Sequence, residues 1–283
     1  MKRQPTLLAA LIVVAGLSLG ACSATPTATP VPPTATPPLT PTVTPAPPTP
    51  LPRPTTFPLT VGTDATFKPM EYRDERSGQI VGFDINLCNA IAREIGASAT
   101  YTNIAFDGLF TALSNKRLDA VASAVIITAE RRKQYLFSAP YLLAGQIVTV
   151  RAEEKTITGP DTIGWGKKIG VQLGTTGEEQ AKKIAQKSGA EVKSYDDVTL
   201  AFADLTAGRL DAVIYEFPVT ADYIASNPNA RLKTVGKVFT EEYYGFVFRQ
   251  DQQDLVEKVN AALQKLKDSG QLADLQKKWG LAQ

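Results

Sequence analysis

Residues 110–121 read FTALSNKRLDAV, and residues 202–213 read FADLTAGRLDAV. The two stretches align without a gap at an offset of 92 residues, and seven of their twelve positions agree: Phe, Leu, Arg, Leu, Asp, Ala and Val. Each reads as the end of a helix, a tight turn, and an Ala-Val entry into a strand. Coincidence within a common helix–turn–strand idiom is the alternative. Seven identities in twelve favour a repeated unit, and hence two lobes of similar topology. Around the copies, strand-like runs at 59–62, 120–127, 146–150, 168–172, 212–215 and 244–248 alternate with helical stripes such as Leu255, Val259, Leu263, Leu266, closed by Gly270. This alternation predicts an α/β fold.

Ligands of α/β sheets sit beyond the carboxyl ends of strands. Ser123 and Ala124 after the first copy, and Tyr215 and Glu216 after the second, are therefore expected to face each other across a cleft. The first copy continues as SAVIITAERRKQYLFS at 123–138. Thr128 and Glu130 look like the cap and first turn of a helix. Arg131, Arg132 and Lys133 follow at the helix end where the macrodipole disfavours cations. For Arg132 and Lys133 a solvated surface role accounts for the charge; Arg131 is a candidate for the cleft.

Composition narrows the chemistry. The formal charge is +2, there is no histidine, and cysteine occurs only at Cys22 and Cys88. The usual metal sites and the Ser–His or Cys–His catalytic pairs are thus absent, and no cofactor is expected. No basic block interleaved with aromatics points to nucleic acid. Cys88 falls on the stripe Ile85, Cys88, Ile91/Ala92, Ile95 and reads as a small core residue of a helix.

The chain opens MKRQPTLLAALIVVAGLSLGAC, with Lys2 and Arg3 ahead of an apolar run at 7–19 that is too short for a comfortable membrane span. Residues 1–21 read as an export leader. Leu19-Gly20-Ala21-Cys22 resembles the bacterial lipobox, which implies lipidation of Cys22; the alternative is an ordinary leader with a chance cysteine. Residues 24–56 hold 13 prolines and 11 threonines. Such a stretch buries no core and reads as an extended polyproline-II tether, reaching on the order of 100 Å at about 3.1 Å per residue. The expectation is a signal peptide at 1–21, a lipid-anchored linker at 22–56, and a binding domain at 57–283 outside the cytoplasm, touching the membrane through the anchor alone.

VGTDATFKPMEY at 61–72, GFDINLCNAIAREIG at 82–96 and VIITAERRKQYLFSAPY at 125–141, with LTAGRLDAV and the closing LKDSGQLADLQKKWG, resemble the extracellular solute-binding proteins of family 3, the polar amino-acid receptors of ABC importers. The resemblance implies a type II periplasmic-binding-protein fold: two α/β lobes, about 57–145 with 242–283 and about 146–241, joined by two crossings. It implies that Arg131 holds the ligand α-carboxylate through a bidentate pair, a task for a planar fork that lysine cannot imitate. Glu216 matches the acid for the α-ammonium, where the family usually has aspartate. Ser123 would offer its hydroxyl, and Ala124 its carbonyl, to the same ammonium. Gly174, Thr175 and Thr176, ahead of a helix beginning near Glu178, match the loop that receives the carboxylate; a glycine turn with a threonine cap fits the residues equally well. Phe67 and Phe106 match aromatic walls around the ligand side chain, with core packing as their alternative. Asp64 matches a carboxylate at the side chain's far end.

Two departures stand out. Asn86 replaces a common acid on a side read as structural, and Ile126 replaces a hydroxyl residue, leaving the carboxylate to backbone N–H groups and Arg131. The expected function is capture of a polar amino acid (arginine, glutamine, lysine or histidine favoured over glutamate and aspartate) by a monomer that delivers it to a permease and its ATPase. A ligand-sensing ectodomain acting with a separate signalling chain is the alternative. A cyclohexadienyl dehydratase-like enzyme is disfavoured, because its catalytic glutamate would fall at Val219 and the GTTG loop lacks the asparagine-rich pattern of those enzymes.

Overall fold

The computed structural model describes residues 56–282; the leader, Cys22 and the Pro/Thr-rich segment up to Thr55 lie outside the described residues. Two five-stranded sheets are built to one plan. The first runs Ala97–Asn103, Phe57–Thr63, Ala120–Val121, Val247–Arg249, Tyr135–Phe137 from edge to edge. The second runs Glu191–Tyr195, Lys168–Gln172, Ala212–Glu216, Gln146–Arg151, Leu232–Val235. In both, the first three strands are parallel and the fourth is antiparallel to its two neighbours.

The repeated sequence fills the same place in each sheet, running from the Phe106–Ser114 and Val198–Thr206 helices into the third strand. Its shared residues explain its recurrence. Leu113, Leu118 and Val121, like Leu205, Leu210 and Val213, are fully buried. Asp119 brackets the adjacent strand: its N–H donates to the Thr60 carbonyl at 2.7 Å, and its carboxylate accepts from the Thr60 N–H at 2.8 Å. Asp211 does the same to Lys168, at 2.9 Å in both directions. Each aspartate thereby sets the register of a parallel pair.

The repeated leucine needs a glycine opposite. A Cβ at Gly62 would fall well inside contact distance of Leu118 Cδ1, and one at Gly170 would do the same to Leu210 Cδ1. Gly62→Ala and Gly170→Ala are each expected to cost about 1–3 kcal/mol by overpacking. Urea midpoints measure this, and two variants as stable as the parent would remove the packing explanation.

Two predicted strands are interrupted. The run at 120–127 leaves the sheet after Val121, because Ala124 turns into the left-handed region (φ 44°) with its N–H held by Asp84 Oδ2 at 2.8 Å. The run at 244–248 is divided. Glu242–Tyr244 pairs with Leu142–Ala144 as a ribbon between the lobes, and Val247–Arg249 joins the first sheet. Cys88 is a buried thiol on the Phe83–Glu94 helix, as its spacing predicts. Asn86 faces away from the cleft and accepts from Lys278 Nζ and Trp279 Nε1. Among the described residues no helix is long and apolar enough to cross a membrane.

Candidate ligand-binding site

The second sheet ends three apolar strands in polar residues at one edge: Gln146 opens QIVTVR, Gln172 closes KIGVQ and Glu216 closes AVIYE. All three are buried. They face the segments that follow the first lobe's strands across a narrow space with no room for a water molecule. Phe67, Phe106, Ala124, Ile126, Arg131, Thr175, Thr176 and Glu216 line it. Eight of the eleven cleft residues predicted from sequence thus meet around one space.

Arg131 is the third residue of the short Ala129–Gln134 helix, where its N–H donates to the capping Thr128 Oγ1 at 3.1 Å. Its guanidinium turns inward over Phe106 and Phe110, 5.6 and 5.3 Å from their ring centres. Nη1 donates to the Ile126 carbonyl at 2.7 Å and Nη2 to the Gly174 carbonyl of the other lobe at 3.0 Å. Two neutral carbonyls are weak partners for a half-buried cation, and a carboxylate would replace them with a charge-assisted pair. Burial lowers the Arg131 pKa. Arg132 is exposed, and Lys133 pairs on the surface with Glu130 at 2.7 Å.

The loop opposite is a helix start. Gly174 adopts φ 77°, Thr175 caps the Thr176–Ser188 helix through the Glu178 N–H, and the helix begins two residues before its predicted start. The Thr175 hydroxyl also donates to the Gln172 carbonyl at 2.8 Å, so it serves the cap. Gly174 takes part through its carbonyl on Arg131 rather than by lining the cavity. Glu178 Oε2 fixes this loop by accepting from the Gly174 N–H at 3.0 Å.

The aromatic walls are collapsed. The Phe67 and Phe106 rings are nearly parallel, 13° apart, with centres separated by 6.1 Å. An interposed flat group needs roughly 7 Å, two carbon contact distances. The centres lie closer than that, so ligand entry between the rings requires them to part.

Two more of the expected residues do not line this space. The Ser123 hydroxyl donates its one proton to Glu71 Oε1 at 3.1 Å and accepts from the Asp64 N–H at 2.9 Å, which leaves one lone pair, and it stands behind the wall of that space. Asp64 also lies behind that wall. Its carboxylate accepts from Thr66 Oγ1, the Phe106 N–H and, across the lobes, Gln172 Nε2 at 2.9 Å. Gln172 is itself held by the Tyr215 hydroxyl, so Asp64 forms part of an inter-lobe latch.

Sequence reading missed Glu71, Asp84, Gln146, Gln172 and Glu242. Glu71 is the cross-strand partner of Phe67, which puts the two on one face of their hairpin. It is fully buried, and its Oε2 has no partner. Burial, then repulsion from Asp84 and Asp64, holds its pKa well above the usual carboxylate range. Burial also pushes Asp64 up to about 6, and Asp84 and Glu216 up to about 7. Glu216 Oε2 and Asp84 Oδ1 are likewise buried without partners. Arg131 is the one cation among the described residues lining the cavity. A legible signal existed for Gln146 and Gln172, polar residues at the ends of apolar strands, but none for Glu71.

A two-lobed α/β chain that sets an arginine against a carboxylate between opposed strand ends has the architecture of a solute-binding protein. The chain belongs to the bacterial extracellular solute-binding proteins, family 3, which residues 59–282 match. It is 33% identical over 222 residues to the L-cystine-binding protein TcyJ of Escherichia coli (strain K12), covering 78% of this chain and 82% of that protein. Among solved structures, an ancestral arginine-binding protein bound to arginine superimposes with a TM-score of 0.76 at 41% identity, over 78% of this chain and 97% of the other. The ancestral amino acid-binding protein AncCDT-1, a precursor of cyclohexadienyl dehydratase, gives 0.72 at 36% identity over 78% and 95%.

Proposed function

We propose that this chain is the substrate-binding component of an ABC importer and that it captures an amino acid with a cationic side chain between its lobes. One observation carries the side-chain preference: Glu216, lining the space, and Glu71, the buried cross-strand partner of Phe67, each leave a carboxyl oxygen unpaired, while Arg131 is the one cation among the described residues that line it. Arg131 receives the α-carboxylate and Glu216 the α-ammonium. A third, positive group on the ligand is then matched by Glu71, with Asp64 behind it, and Phe67 and Phe106 stack on its flat face. An acidic side chain would add a further buried anion, at a cost of several kcal/mol. The arginine in the ancestral structure supports this reading. Binding without turnover is supported by Val219, apolar and buried, at the position where the dehydratase glutamate would fall.

The test is a thermal-shift panel of the twenty amino acids on the purified protein. Arginine or lysine is expected to give the largest rise, about 2.7 kcal/mol of added stability at 100 times the dissociation constant. A largest shift from glutamate or aspartate would overturn the charge assignment; no shift from any amino acid would overturn the receptor reading.

Anchoring through Cys22 belongs to the same proposal, since an importer's receptor gains from being held near its permease. Cys22→Ser is expected to move the protein from the membrane fraction into the extracytoplasmic fluid. Quantitative retention on membranes would refute the anchor.

A further inference from the structure

Glu216 and Gln146 stand directly opposite each other on adjacent antiparallel strands. Gln146 Nε2 lies within hydrogen-bond reach of three acceptors: Glu242 Oε2 at 2.9 Å, Thr176 Oγ1 at 3.1 Å and Glu216 Oε1 at 3.2 Å. An amide nitrogen has two hydrogens, so one acceptor always goes short. The Thr176 hydroxyl donates to Glu242 at 3.3 Å, while Gln146 Oε1 and Glu216 Oε2 are buried without partners. Two carboxylates bridged by one neutral amide are thus short of a hydrogen-bond donor. Glu242 begins the Glu242–Tyr244 strand, one of the two crossings between the lobes.

We infer that the ligand α-ammonium is received by Glu216 and Glu242 acting as a pair, with Gln146 as the positioning residue that spaces them and the hinge crossing carrying half of the receptor. This rests on the amino-acid-binding reading above. An ammonium brings three donors and a full charge, which supplies the donor that Gln146 cannot. Glu216 makes the direct contact at the cavity wall; Glu242 acts from behind Thr176, through its charge and through Gln146. The pair also accounts for glutamate at position 216: cross-strand Gln146 can bridge to Glu242 only if the carboxylate extends to meet the amide. Because Glu242 sits on a crossing, the ammonium pulls on the hinge as well as on the second lobe.

The charged and titratable groups that face Glu216 are Glu242 and Arg131, with Glu71 from the first lobe and the hydroxyls of Tyr215 and Tyr244. Glu242 repels Glu216 and favours its protonated form. Removing the Glu242 charge therefore has two separable effects on binding. It weakens the field on the ammonium, and it lets Glu216 ionise at lower pH.

The experiment is calorimetric titration with L-arginine (L-glutamine if that gives the larger thermal shift) from pH 5.5 to 8.5. It compares wild type, Glu242→Gln and Glu242→Asp. At pH 8 Glu242→Gln is expected to bind about tenfold more weakly, and Glu242→Asp to recover most of the loss. The pH below which binding fails is expected to move down in Glu242→Gln, which a merely structural role would not produce. Affinity within twofold of wild type, or a uniform loss with the acid limb unmoved, overturns the pairing while leaving the receptor reading intact. A wild type that none of the twenty amino acids stabilises overturns both.

Discussion

Arg131→Ala is expected to abolish amino-acid binding and leave the fold in place. The guanidinium is half-buried and bonded only to the carbonyls of Ile126 and Gly174, so its removal costs little in the empty protein. With ligand present the same fork would meet a carboxylate, and losing a bidentate, charge-assisted contact removes a few kcal/mol, on the order of a hundredfold or more in affinity. Arg131→Lys is expected to fall between, keeping the charge but not the planar pair of donors. Calorimetry on both variants, with circular dichroism as the check on folding, decides it. An alanine variant that binds within threefold of wild type removes Arg131 from the site.

The second expectation runs in opposite directions for stability and affinity. The empty protein is expected to be more stable at pH 5 than at pH 8, whereas a cationic ligand binds more tightly at pH 8. Asp64 is raised to about 6, and Asp84 and Glu216 to about 7, chiefly by burial, and burial raises Glu71 as well. A carboxyl whose folded pKa exceeds its unfolded value, roughly 4, is held more tightly protonated by the folded chain. The stability this contributes is fully present below the unfolded value and is lost as pH rises through about 6 to 7. Each pKa unit corresponds to about 1.4 kcal/mol, and the groups repel one another, so the total is on the order of several kcal/mol. A cationic ligand needs those carboxylates ionised and supplies the counter-charge, so its affinity rises over the same interval.

Glu71→Gln separates the two trends. It replaces an unpaired buried acid with a neutral amide, so the empty variant is expected to melt higher than wild type at pH 8. Arginine binding is expected to fall tenfold or more, with glutamine binding little changed. Urea unfolding at pH 5 and pH 8, with and without arginine, measures both sides. An empty protein whose stability is flat between those pH values would falsify the buried-acid account.

Arg131 and Glu216 were legible because each breaks a local rule, whereas Phe67 and Phe106 followed from the family resemblance alone. An arginine at a helix start and a glutamate ending an apolar strand have no local reason to be there. The surroundings of Ser123 gave no such local sign. A hydroxyl after a strand reads as open to the cleft, and only the approach of Asp64 and Glu71 from other segments shows that its proton and one lone pair are taken. Glu71 was invisible for the same cause. In TFKPMEY it looks like an ordinary surface acid, and it is buried because Ser123, Asp84 and Asp64 arrive around it from elsewhere in the chain.

By itself the sequence determined the repeated unit, the α/β alternation and the strand ends from which the cleft is built. These follow from hydrophobic period, glycine placement and the aspartate after RL, all of which act over a few residues or between adjacent strands. Only the tertiary structure decided which polar groups remain free in the cleft, where Asp64 points, and how Gln146 joins Glu216 to Glu242. The reason is that the charge state and hydrogen-bonding capacity of a buried group are set by every neighbour within a few ångströms, and here those neighbours lie up to 108 positions apart in the chain.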